Sequence, residues 1–112
     1  METTFENLFL DHQEWAEHKF PASTPRSSLK GLRREIKEVE KEIKKLEALP
    51  DGDDGLQDLG IEYVDCFMYL LDSMNRAGIT LEDFKDNFEN KLQINKERKW
   101  KKNKDNSYSH AG

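Results

Sequence analysis

Two pairs of carboxylates in this chain have the spacing and surroundings to do chemistry. Glu62 and Asp65 stand one helical turn apart in the most apolar stretch of the 112 residues, and Glu35 and Glu38 repeat the spacing upstream. Glu62 and Asp65 also belong to a longer series, Asp58, Glu62, Asp65, Tyr69, Asp72 and Arg76, at intervals of four, three, four, three and four. On a helix these residues form one polar stripe. Carboxylates drawn into apolar surroundings lose hydration, which a bound cation or an Arg/Lys partner must replace. Glu62 and Asp65, among Ile61, Tyr63, Val64, Phe67 and Met68, are expected to lie deepest. The competing reading is an ion-paired stripe turned to solvent.

Glu35 and Glu38 mean little alone, because a glutamate-rich helix yields this spacing by chance. Their value depends on the partner helix: a short connection makes the two helices antiparallel neighbours and can set all four carboxylates face to face. At 1.5 Å per residue, Glu38 lies about 18 Å from the Pro50 end and Glu62 about 10 Å from the Gly55 end, so the intervening turn must absorb an offset. Four converging carboxylates would make an oxygen-only site, suited to Mg²⁺ or Mn²⁺ and not to zinc. A di-iron bundle would want Glu-x-x-His pairs, and no histidine stands three residues after any of the four. Downstream, Lys91, Asn95 and Arg98 share a helical face that suits phosphate and sugar oxygens, or is simply a solvated basic face. Trp15, with Phe20 nearby, either stacks on a base or packs in the core, and core is the commoner fate of a tryptophan.

Four helices are expected to position these groups. The first starts at Thr3, with Glu6 at capping-box spacing, carries Phe5, Leu8, Phe9, Trp15 and Ala16 on one face, and ends at Pro21. A Ser/Thr/Pro loop then delivers an N-cap at Ser27 or Ser28. The second helix has a narrow apolar seam of Leu29, Leu32, Ile36, Val39, Ile43 and Leu46 and stops near Pro50, before an Asp/Gly turn at 51–55. The third spans 56–77, with Gly78 as its stop. The fourth is capped by Thr80 with Asp83 and runs through Leu81, Phe84, Phe88 and Leu92. Residues 1–100 are read as the domain and 101–112 as a polar, frayed tail, with no strand pattern. The fold class is therefore all-α, a four-helix bundle.

Composition restricts the rest. With 35% hydrophobic and 37% charged residues, the bundle is expected to complete its core by oligomerisation. The net charge of -5 argues against nucleic acid as the main partner, although six of the nine residues 96–104 are basic. A lone cysteine, Cys66, excludes an intrachain disulfide and is expected to be a buried, inert thiol. No run is long enough to span a bilayer and the first residues lack a signal-peptide pattern, so the expected location is the cytoplasm, without a membrane partner.

The Glu35-x-x-Glu38 and Glu62-x-x-Asp65 pairs resemble the signature of the MazG-like all-alpha nucleoside triphosphate pyrophosphohydrolases. His12-Gln13-Glu14-Trp15, Phe20-Pro21, Ser27-Ser28-Leu29, Arg76-Ala77-Gly78-Ile79 and the block from Lys91 to Trp100 are similar to the phage dATP/dGTP diphosphohydrolase branch, MazZ-like enzymes included. The resemblance covers residues 5 to 100. It implies a four-helix MazG-like bundle in which Glu35, Glu38, Glu62 and Asp65 bind Mg²⁺, with Mn²⁺ able to substitute. Glu38, or Glu35, would activate water, with Tyr69, Arg76, Lys91, Asn95 and Arg98 on the substrate and Trp15 on its base. It further implies cleavage of a nucleoside triphosphate, dGTP or dATP, to monophosphate and pyrophosphate, in a homodimer or homotetramer, with dGMP feeding phage 2-aminoadenine synthesis. The alternatives are a pyrimidine substrate, dUTP or dCTP, and a non-catalytic helical interaction module built on the heptad-like second helix.

Overall fold

In a computed structural model, which describes residues 3–48 and 55–111, the chain divides into two compact units, Met1–Ile79 and Thr80–Gly112. The first unit holds α1 (Phe5–Lys19), α2 (Pro25–Ala48) and α3 (Gly55–Arg76); the second holds α4 (Leu81–Glu97) and a hairpin of β1 (Trp100–Lys102) and β2 (Tyr108–His110). The expected turn at 51–54 and the stop at Pro50 lie outside the described residues.

Local chemistry sets the helix ends, in two places differently from expectation. Thr4, not Thr3, caps α1, its hydroxyl accepting from the Asn7 amide at 3.1 Å. The helix closes at Phe20, whose amide donates to the Ala16 carbonyl just before Pro21. The second helix begins at Pro25 rather than after Ser27 or Ser28. Proline fits the first helical position because the amide it lacks would be unsatisfied there. Thr24 and Ser27 bond reciprocally, each hydroxyl accepting from the other's amide, at 3.1 and 2.8 Å. Those serines are therefore first-turn residues. Gly78, at φ +86°, ends α3 as expected: the Ile79 amide returns to the Met74 carbonyl and the Gly78 amide to that of Asn75, the paired bonds of a left-handed glycine stop. The Thr80–Asp83 capping box of α4 is present.

The α2–α3 pair is the frame of the first unit. Ser28 meets Asp72, Gly31 lies under the Tyr69 ring, Glu35 meets Glu62 and Asp65, and Leu46 lies against Gly55. The pairings descend along α3 as they ascend along α2, so the helices are antiparallel. Gly31 permits the close approach, since a Cβ there would overlap the Tyr69 ring. The α2 seam faces inward, with Val39 buried and Leu29, Leu32, Ile43 and Leu46 half-buried, while Ile36 remains exposed. The first helix packs on α3, where the Phe9 and Phe67 rings lie 5.5 Å apart. Ala16, Val39 and Leu71 are the buried apolar side chains among the described residues. Leu56, Ile61, Val64 and Leu70 on α3, and Phe5, Leu8 and Leu10 on α1, are exposed.

In the second unit, the tail expected to fray forms a hairpin. Trp100 pairs with His110 and Lys102 with Tyr108 in an antiparallel register. Its turn rests on Asp105, whose carboxylate accepts from the Ser107 amide and hydroxyl, with Asn106 at φ 72°. Aspartate and asparagine suit such a turn because their side chains satisfy local amides and tolerate left-handed backbone. No described helix is long and apolar enough to cross a membrane.

Candidate metal and nucleotide site

The α2–α3 register brings ligand oxygens of Glu35, Glu62 and Asp65 within 4.8 Å of one another, all three side chains half-buried. Among the described residues no basic side chain pairs with any of these three. Desolvation raises the proton affinity of Glu62, and the charges of Asp65, Glu35, Glu38 and Glu42 raise it further. Five carboxylates thus share one field. Glu38 stands outside the tight group of three; it is half-buried and its Oε1 accepts from Lys41 Nζ at 3.2 Å. Glu42, a turn further along α2, pairs with Lys45 at 3.1 Å. Glu42 is a member of the acidic field beyond the four expected carboxylates, and its spacing from Glu35 and Glu38, all on one face of α2, is the signal for it in the sequence. Cys66 is half-buried, with its thiol pKa raised by desolvation and by the charges of Glu35, Asp65 and Glu62, which keeps it protonated and unreactive.

Beside this cluster opens a cavity of about 530 Å³. Trp15, Phe20, Tyr69 and Met68 give it an apolar wall, and His12, Ser23, Ser27 and Asp72 contribute polar atoms. Asp65 lines it too, so one carboxylate belongs to both the acidic cluster and the cavity. Trp15 is 53% exposed and meets Phe20 edge-on at 5.4 Å, so it is a cavity wall and not a core residue.

The other end of the α3 stripe is organised differently. Asp72 is the stripe's buried member, deeper than Glu62 and Asp65, which were expected to lie deepest. Its Oδ2 accepts from the hydroxyls of Ser28 at 2.5 Å and Ser23 at 2.9 Å, and its Oδ1 from Arg76 Nε at 3.1 Å. Burial pushes the Asp72 pKa up, but the bonds from Ser28, Arg76 and Ser23 and the Arg76 charge outweigh it and hold the group below the usual carboxylate value. Arg76 also donates to the Ala16 carbonyl at 2.9 Å, and Ser73 to that of Pro25 at 2.8 Å. These bonds tie the end of α1, the 20–25 loop and the start of α2 to α3. Arg76 is thereby occupied by the protein itself, and the geometry gives it the position of a brace beside the cavity.

Lys91, Asn95 and Arg98 belong to the second unit. Lys91 is exposed, the Asn95 side-chain oxygen is buried without a partner among the described residues, and Arg98, just past the end of α4, contacts the His110 ring at 2.8 Å. The Trp100 indole donates to the Asn95 carbonyl at 2.9 Å and packs edge-on against His110.

The family model for dATP/dGTP pyrophosphohydrolase matches residues 8–111 of this sequence. The chain belongs to that family. The match includes the hairpin, which the resemblance drawn from the sequence had left out. Membership makes the chain a nucleoside triphosphate pyrophosphohydrolase. Among solved structures, the Cyanophage S-2L MazG-like pyrophosphohydrolase, bound to dGDP and three catalytic Mn²⁺ ions per active site, is similar in fold. It has a TM-score of 0.70 and 22% identity over 99% of this chain and 100% of that one. No curated protein matches the chain.

Proposed function

We propose that this family member hydrolyses dGTP, and dATP with it, between the α and β phosphates, releasing the deoxynucleoside monophosphate and pyrophosphate. The observation that carries the reading is Asp65, which joins an acidic cluster to an aromatic-walled cavity. A flat base can lie against Trp15 and Phe20 while its phosphates reach the carboxylates, and stacking surfaces of this kind suit nucleobases.

Glu35, Glu62 and Asp65 fit a divalent cation: the donors are all carboxylate oxygens, and their mutual repulsion is uncompensated by any basic side chain in the group. The neighbour's Mn²⁺ ions support the same reading. Mg²⁺ or Mn²⁺ bound there would neutralise triphosphate charge and lower the pKa of a water. Glu38, near enough to Glu62 for its charge to be felt but outside the tight group, is the carboxylate proposed to take a proton from water attacking the α-phosphorus, through the oxygen that Lys41 does not hold; Glu35 is the second candidate. Tyr69, on the cavity wall one turn from Asp65, suits the sugar or phosphate. Lys91, Asn95 and Arg98 are proposed for phosphate contact from their chemistry alone, and lysine and arginine would steady charge growing on departing pyrophosphate. Arg76 acts on substrate through the loop it holds.

The exposed apolar faces of α1 and α3 support a homodimer or homotetramer, since a monomer rarely leaves so much apolar surface wet. Supply of dGMP to phage 2-aminoadenine synthesis is the pathway that the family resemblance suggests.

Separate reactions of dGTP, dATP, dCTP and dUTP with Mg²⁺, their products separated by chromatography, test the proposal. Monophosphate and pyrophosphate, formed fastest from the purines, are expected. Diphosphate products would overturn the mechanism, and a strong preference for dCTP or dUTP would overturn the purine assignment.

A further inference from the structure

Whatever occupies the cavity must be read by polar groups that the protein has not already used. Ser23 and Ser28 donate to Asp72, and Asp72 accepts on both oxygens. Ser27 is bonded in both directions to Thr24, accepting from its amide and donating to its carbonyl. Asp65 belongs to the acidic cluster, and Tyr69, beside it on the cavity wall, is the residue proposed above for the sugar or phosphate. His12 is different. Its ring lines the cavity at 6.0 Å from the Trp15 ring, and its Nδ1 is buried with no hydrogen-bond partner among the described residues. With no protein partner on Nδ1 to fix the tautomer, Nε2, which is likewise unbonded among the described residues and is not buried, is the nitrogen a ligand in the cavity can reach.

The ring's electrical state matters as well. Desolvation lowers the His12 pKa, and the Asp72 charge opposes this without cancelling it, so at neutral pH the imidazole is uncharged. A neutral imidazole has one donor and one acceptor nitrogen and can exchange them by changing tautomer. The two purines differ in the same sense: guanine O6 accepts where the adenine N6 amino group donates. A lysine in this position would favour guanine, and a carboxylate would favour adenine.

We propose that His12 hydrogen-bonds the exocyclic group of the purine, and that its choice of tautomer lets one site accept both guanine and adenine. The inference rests on the cavity being the nucleoside pocket, and it makes His12 the specificity-determining residue of that pocket.

The test compares wild type with His12→Phe and His12→Gln on dGTP, dATP and the triphosphate of deoxynebularine, a purine with no exocyclic group. In His12→Phe, KM for dGTP and dATP should each rise about tenfold, the value of one good hydrogen bond, with a much smaller change in kcat. The same substitution should leave KM for the nebularine nucleotide nearly unchanged. His12→Gln retains a donor and an acceptor and should recover most of the loss on both natural purines. Should the phenylalanine variant lose helix content by circular dichroism, His12→Leu carries the same comparison. An equal penalty on all three nucleotides, or none on dGTP and dATP, would overturn the role of His12. A wild type that hydrolyses neither dGTP nor dATP would overturn the purine reading itself, a result visible without any variant.

Discussion

Asp65 and Asp72 sit two turns apart on one face of one helix, yet the protein treats them in opposite ways. Asp72 is the more buried, but its charge is met by Arg76 and two serine hydroxyls, and its pKa falls below the ordinary value. Asp65 is less buried, and its near neighbours Glu35 and Glu62 bring more negative charge instead of meeting its own, which helps to raise the proton affinity of Glu62. Burial therefore does not separate a structural carboxylate from a functional one. What separates them is whether the fold supplies the counter-charge or leaves it for a ligand to bring.

The largest expected effect of breaking this contrast is on catalysis. Asp65→Asn keeps the shape and removes a charge, and should lower kcat on the order of 10³-fold with helix content unchanged. Activity with Mn²⁺ beside circular dichroism measures both, and near-normal turnover would remove the metal assignment. At the other end of the stripe, Arg76→Ala should destabilise the fold by about 3 kcal/mol, because it strands a buried carboxylate. Urea denaturation reads this loss, and a change within error would show the pair to be a bystander.

The same buried pair predicts a pH signature. Asp72 has a folded pKa below its ordinary 3.8, so the stability it contributes is fully present above that value and is lost as pH falls through the folded pKa. Wild type should lose more stability between about pH 5 and pH 2 than Asp72→Asn does, and parallel acid limbs would contradict this. The smallest effect belongs to the cluster. Glu62→Gln relieves repulsion and should raise the melting temperature slightly in EDTA, while shrinking the further rise that Mn²⁺ gives wild type. A lower melting temperature in EDTA would mean that Glu62 is a structural partner after all.

The sequence shows the parts of this molecule that rest on near neighbours. The α3 stripe, the Gly78 stop and the Thr80–Asp83 box are all written within a few residues and were readable. Pro25 was readable too, as a first-turn proline, but the serines after it drew the cap to the wrong place. The Asp105–Ser107 turn is local and was hidden by the polar composition of the tail. The bond from Ser28 to Asp72 spans 44 residues, and that from Arg76 to Ala16 spans 60, so neither leaves a local trace. For that reason the bond of Arg76 to Ala16 had no sign in the sequence, where the family resemblance alone implies a substrate contact. Convergence of Glu35 with Glu62 and Asp65 depends on an α2–α3 register that periodicity leaves open; the Gly31–Tyr69 contact helps to set it.

If water attacks the α-phosphorus of a nucleotide held at the Glu35, Glu62 and Asp65 cluster, its oxygen must end in the monophosphate. Hydrolysis of dGTP in heavy-oxygen water, with mass spectrometry of both products, tests it most directly. One heavy oxygen in dGMP and none in pyrophosphate is the expected result. Label in pyrophosphate, or in free phosphate released with dGDP, would contradict it.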